Sequence, residues 1–166
     1  MEQVVINEGG QKKADITRVR AVFADTDGAD LCPIVAALRP HIVVNSSPGK
    51  WHVYWLVTDD FPLDRFGSVQ RAIAEKFSTD DKVVDLPRVM RLPGFYHNKA
   101  KPYLVRLVDW DALLPRYSFD QIIEGLGINL ASGPSLSPTA IANPPPHRSA
   151  VWRKVLSGQF TKSEIE

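Results

Sequence analysis

The chain has 166 residues, 44% of them hydrophobic and 23% charged, with a net charge of +1. That is enough for one domain with a real core and a short appendage, and the charge balance favours no particular partner, so any nucleic-acid surface has to come from local clustering. The single cysteine, Cys32, excludes an internal disulfide and a multi-cysteine zinc site. The N-terminus lacks an apolar signal region and no run reaches membrane-span length, which predicts an intracellular, cytoplasmic protein with no membrane partner.

In chain order, Gln3 to Asn7 reads as a short strand broken by Glu8-Gly9-Gly10. Ile16 to Asp25 is mostly extended and ends in Phe23-Ala24-Asp25-Thr26-Asp27-Gly28. It reads as a strand ending in a paired-carboxylate step, in which alternation puts Asp25 and Asp27 on one face, about 6.5 Å apart. Two carboxylates so placed repel unless something positive lies between them, and a hard divalent cation is the usual answer. A strand end followed by an Asp-Gly turn explains the same residues without a ligand. Pro33 to Leu38 reads as a short helical turn stopped by Pro40, and Ile42-Val43-Val44 as a buried strand.

Asn45-Ser46-Ser47-Pro48-Gly49-Lys50 has turn composition, and Trp51 to Val57 is the returning strand of a hairpin. His52, Tyr54 and Leu56 share one of its faces; Trp51, Val53, Trp55 and Val57 share the other, which reads as core. Small residues and a glycine in that turn let backbone N–H groups approach an anion, beside Lys50 and His52. Asp60-Phe61-Pro62 opens a helix to about Phe77, with Phe66, Val69, Ile73 and Phe77 on one stripe packed on a sheet.

Ser78 to Lys82 is a polar loop, and Val83-Val84-Asp85 is an apolar step into another carboxylate. Leu86 to Lys99 is irregular and basic. From Asp81 to Arg106 there are six Lys or Arg against two Asp, a phosphate-facing patch in a near-neutral chain. The competing interpretation pairs Arg88 and Arg91 with Asp81 and Asp85 on a solvated face. Pro102 to Val108 reads as a strand. Ser118 with Gln121 forms a capping box for a helix running to Leu126 and stopped by Gly127. The expected organisation is a domain over 1–130, a Pro/Ser-rich linker over 131–148 and a helical stub of a downstream domain over 149–166.

An apolar-Asp-x-Asp step, then Ser-x-x-x-x-His before a strand, then apolar-Asp with Arg-Leu-Pro-Gly and Asn-x-Lys behind it, resembles the archaeo-eukaryotic primase superfamily. Its plasmid and phage RepB-like primases and primase–polymerases are the most similar branch. The resemblance spans about residues 3–110 and implies an α+β catalytic core, an RRM-like antiparallel or mixed sheet with packed helices and the active site in a cleft on its open face. It implies Asp25, Asp27 and Asp85 as ligands of two divalent ions, Mg²⁺ or Mn²⁺, with no zinc. It implies His52 at the phosphates of an incoming dNTP or NTP, with Ser46, Ser47 and Lys50 beside it and Arg88, Arg91, Asn98 and Lys99 as the basic block. The implied activity is template-directed nucleotidyl transfer on single-stranded DNA in replication of a mobile element. A helicase or a helical primase domain is the implied partner.

Three rivals remain at this stage. A rolling-circle initiator needs a His-x-His step, and His41, His52, His97 and His147 are all isolated. A nucleotide-sugar glycosyltransferase leaves the block from Asp85 to Lys99 without a role. A non-catalytic single-stranded-DNA-binding module uses the basic patch but has no need of the carboxylates.

Overall fold

The computed structural model describes residues 12–99 and 101–130. The expected strand at Gln3 to Asn7, the linker and the helical stub lie outside those residues. The described part is α+β. Four antiparallel strands form one sheet in the order β1-β3-β2-β6, with β1 at Ala21–Asp25, β2 at Ile42–Ser47, β3 at Lys50–Leu56 and β6 at Arg106–Trp110. A two-stranded ribbon pairs β4, Tyr96–His97, with β5, Tyr103–Leu104. Three α-helices complete it: α1 at Leu31–Ala37, α2 at Phe66–Phe77 and α3 at Phe119–Leu126.

Strand alternation decides the layers. Val22 and Ala24 of β1, Val53 and Trp55 of β3 and Val43 of β2 face the helices and are buried in one cluster with Ile34, Val69, Ile73, Ile122 and Leu126. Trp55 meets the need of its indole inside that core by donating Nε1–H to the Leu38 carbonyl at 3.0 Å. The opposite face presents Phe23, Asp25, His52, Tyr54, Ile42 and Val44. The succession β1-α1-β2-β3-α2 with β1 beside β3 is the RRM-like arrangement. The next segment after α2 lies along the outer edge of β1, where the Asp80 N–H donates to the Asp25 carbonyl at 2.9 Å.

Local chemistry sets several boundaries. α1 starts at Leu31, ahead of the expected Pro33, because Asp30 caps it by accepting the Cys32 N–H at 3.0 Å, and Pro33 falls in the first turn, where no donor is missed. α2 starts at Phe66 rather than Asp60: Pro62 leads into a 3₁₀ turn over Leu63–Arg65 first. The hairpin strand runs on through Ser47, so the turn shrinks to Pro48-Gly49, with Gly49 at φ +69°. The strand expected over Pro102 to Val108 is split at Val105, whose N–H donates to Phe95 while β6 crosses to β2. The capping box at Ser118 and the left-handed Gly127 form as the sequence predicts, with Ser118 Oγ accepting the Gln121 N–H at 3.2 Å. A Cβ at Gly125 would lie 2.7 Å from Leu38 Cδ1, so a larger residue there requires the Leu38 side chain to shift. No helix among the described residues is long and apolar enough to cross a membrane.

His41 is a buried strut of this fold. Its Nδ1 accepts the Leu56 N–H at 3.0 Å, which leaves Nε2–H to donate to the Pro115 carbonyl at 3.2 Å. Burial therefore holds the imidazole below its ordinary value of 6.5, against the smaller opposing pull of Pro115 and Asp111. The unfolded chain binds a proton that the folded chain refuses, so His41 adds stability above that value and the contribution is lost as pH falls below it. We expect urea midpoints to drop between pH 7 and pH 5, and to drop less steeply in His41→Gln, which keeps an acceptor and a donor but cannot titrate.

Candidate active site

β1 ends at Asp25, which pairs across the sheet with His52, and His52 pairs in turn with Val44. The row brings a carboxylate and an imidazole together on the open face: His52 Nε2 lies 3.6 Å from Asp25 Oδ2, and Tyr54 Oη lies 3.4 Å from Nδ1. Asp27 does not sit on the strand. It takes φ +41°, a left-handed conformation that Asp tolerates, and its N–H donates to Asp25 Oδ1 at 3.3 Å. The two carboxylates are thus joined by a turn instead of the expected strand alternation.

The electrostatics of the pair are opposed. Burial pushes the Asp25 carboxyl up, and the negative charges of Asp80 and Asp27 push the same way, against the Asp27 N–H and Arg91. Asp27 is held below the ordinary range by the hydrogen bond and charge of Lys50, whose Nζ is 2.5 Å from Oδ1, helped by Lys82 and Lys99. His52 is lowered to about 4, first by burial and then by Arg91, so it is a neutral imidazole at physiological pH. His97 is lowered by desolvation and by the charges of Arg91, Lys99 and Lys50. Acidic and basic groups therefore converge here: Asp25, Asp27 and Asp80 against Lys50, Lys82, Arg91 and Lys99.

The predicted residues separate into two groups. Asp25, Asp27, His52, Lys50, Arg91 and Lys99 come together. Asp85 does not join them: it pairs with Arg88 at 2.5 Å and lines a different cavity of about 740 Å³ with Gly67, Arg71 and Val84. Asp80, which sequence reasoning passed over as loop, bonds through its N–H to the Asp25 carbonyl and its charge acts on the Asp25 carboxyl, while its own Oδ1 accepts the Lys82 N–H at 2.9 Å. Its only signal was polarity just after a helix end. Ser46 is fully buried and donates Oγ–H to the Lys50 carbonyl at 3.3 Å, so it shapes the turn from within. Ser47 is half-buried, and Asn98 is exposed.

Asn45, also missed, holds the hairpin tip. Its Nδ2 donates to the Ser47 and Lys50 carbonyls at 3.0 and 3.1 Å, and its Oδ1 accepts from the Tyr103 hydroxyl of β5. The segment Met90-Arg91-Leu92-Pro93 crosses the open face, roofing a cavity of about 330 Å³ with Ile42, Val44, Leu107 and Trp110 on its other walls.

The donor chemistry suits a hard divalent cation: oxygen ligands, one of them desolvated and crowded by like charge. Among the described residues no three His, Cys, Asp or Glu side chains close on a single point, and the ammonium of Lys50 takes the Asp27 oxygen.

A family model described as the RepB DNA-primase N-terminal domain matches residues 16–124. No curated protein sequence matches the chain. Among solved structures, the archaeo-eukaryotic primase domain of the primase–polymerase of cyanophage S-2L is similar at 24% identity and TM-score 0.58, over 71% of this chain and 65% of that one. The catalytic domain of primase RepB′ in complex with initiator DNA is similar at 29% identity and TM-score 0.48, over 56% of this chain and 50% of that one. Primase RepB′ itself is similar at 24% identity and TM-score 0.46, over 56% and 34%. The chain thus spans less than two thirds of each of these proteins.

Replacing Asn45 with Ala removes the acceptor of Tyr103 and two donors at the turn. We expect a loss of about 2 kcal/mol in urea unfolding. Amide exchange should quicken at residues 47–51, with α3 unaffected.

Proposed function

From the chain's membership of the RepB DNA-primase N-terminal domain family, within the archaeo-eukaryotic primase superfamily, we propose that it is the catalytic domain of a DNA primase or primase–polymerase. It transfers a nucleotide from a dNTP or NTP to a 3′-hydroxyl, directed by a single-stranded DNA template, in the replication of a plasmid or phage. The observation that carries this reading is the cross-strand pairing of Asp25 with His52, within electrostatic reach of Asp27, Asp80 and Arg91, with Lys50, Lys82 and Lys99 acting on Asp27.

Asp25, Asp27 and Asp80 would hold divalent metal, Mg²⁺ or Mn²⁺, at the carboxylate that Lys50 contacts in the structure. Two such ions supply activation of the attacking hydroxyl and neutralisation of the departing pyrophosphate oxygens. His52 acts as a neutral donor to the triphosphate, its ring held by strand pairing and by Tyr54. Arg91 and Lys99, with Lys50 once it is released from Asp27, would balance charge that builds on the phosphates. Template is read by base pairing, so the protein holds it mainly by its backbone. Asp85 and Arg88 serve the 85–88 turn, and Asp80 takes the part that the sequence pattern gave to Asp85.

The test is incorporation of labelled dNTP and NTP on a single-stranded template, with and without an annealed primer, in Mg²⁺ and then Mn²⁺. Asp25→Asn, Asp27→Asn and Asp80→Asn should fall to background while remaining folded. Asp85→Asn should lose at most about 1 kcal/mol of stability and keep its activity. Loss in Asp85→Asn with activity kept in Asp80→Asn returns the third ligand to Asp85. A folded wild type inactive in every condition favours a non-catalytic DNA-binding module.

A further inference from the structure

Gln70 lies on the buried stripe of α2 with Phe66, Val69 and Ile73, and is 2% exposed. A glutamine in such a stripe has to find partners for its whole amide. Its Oε1 accepts the Phe23 N–H at 3.2 Å and its Nε2 donates to the Phe23 carbonyl at 3.1 Å. The side chain therefore imitates the peptide group of a neighbouring strand at the outer edge of β1. Nε2 also donates to the Val83 carbonyl at 3.2 Å. One amide thus grips two stretches of backbone: the strand that ends in Asp25 two residues on, and the segment that carries Asp80 three residues back.

The same two stretches touch directly once more, where the Asp80 N–H donates to the Asp25 carbonyl. The 79–83 segment is also held at its start, where the Thr79 N–H donates to the Ala74 carbonyl at 3.0 Å, and within itself, where Asp80 Oδ1 accepts the Lys82 N–H at 2.9 Å. The bond from Gln70 to the Val83 carbonyl fastens the far end of the segment to the same side chain that holds β1. Leucine would fill the same volume but leave three buried backbone groups bare, and asparagine is one methylene too short to reach both stretches.

We propose that Gln70 is a positioning residue for the candidate metal site, clasping β1 to the 79–83 segment and so fixing the separation of the Asp25 and Asp80 carboxylates. This rests on the reading of those carboxylates as metal ligands. Groups that orient ligands from behind typically change metal affinity by about 10- to 100-fold when lost, whereas a purely structural clasp changes only the stability of the fold.

The measurement is Mn²⁺ affinity, from the electron paramagnetic resonance signal of free Mn²⁺, well below the melting temperature of each variant. Wild type, Gln70→Met, Asp80→Asn and the double variant form a cycle. Gln70→Met should weaken binding about tenfold in the wild-type background and leave it unchanged in Asp80→Asn. A folded Gln70→Met with wild-type affinity, or an equal loss in both backgrounds, overturns the proposal. If Gln70→Met does not fold, Gln70→Asn, which keeps the amide, goes through the same cycle with the same two outcomes. A wild type that binds Mn²⁺ no more tightly than Asp25→Asn overturns the metal reading, and the proposal with it, by a result the cycle does not produce.

Discussion

A sheet edge inside a protein has to be closed. β1 bonds to β3 on one side only, and its other side faces α2 and the chain that follows, where water cannot serve every N–H and carbonyl. The chain closes that edge with pieces of two kinds: the amide of Gln70 at Phe23, and the backbone of Asp80 at Asp25. Ser78, left-handed at φ +54° after the last turn of α2, bends the chain back toward the strand to make this possible. The carboxylate of Asp80 reaches the candidate site as a by-product of edge closure. Geometry and hydrogen-bond satisfaction are here the same problem.

The other half of the site follows from the hairpin. Lys50 and His52 occupy the returning strand just past a two-residue turn, so their positions relative to β1 are fixed by register. Asn45 and Ser46 then stiffen the tip from inside, by bonds to the Ser47 and Lys50 carbonyls. Acid and base are assembled from opposite strands of a paired sheet, which keeps them apart from each other in sequence and adjacent in space. The crossing segment brings Arg91 over the same row, close enough to depress His52 and to draw on Asp25.

Much of this was legible in the chain. Alternation in Trp51 to Val57 assigned the buried Trp55 and the open-face His52 correctly, because a two-fold period in a half-buried strand admits one solution. The helical stripe through Phe66, Val69 and Ile73 and the Ser118 capping box were equally plain. What failed to show were features that depend on long-range backbone partners. Asp25 and Asp27 were aligned by strand geometry, but the strand stops between them. Asp85 stood out over Asp80 because an apolar pair precedes it; in the structure it pairs with Arg88 three residues on, whereas Asp80 meets β1 through its backbone. Gln70 and Asn45 carried no local signal beyond being polar among apolar neighbours, since their partners lie in other elements.

The Lys50–Asp27 contact has a bearing on how the domain is built as a folding unit. In small domains stapled by zinc, the ion is the only cation available to its ligands, so folding waits for metal. Here the chain carries its own counter-charge, a lysine whose ammonium rests on the carboxylate that an ion would claim. The pair is solvent-exposed and contributes about 1 kcal/mol or less, so the weight of the fold rests on the hydrophobic layer behind the sheet.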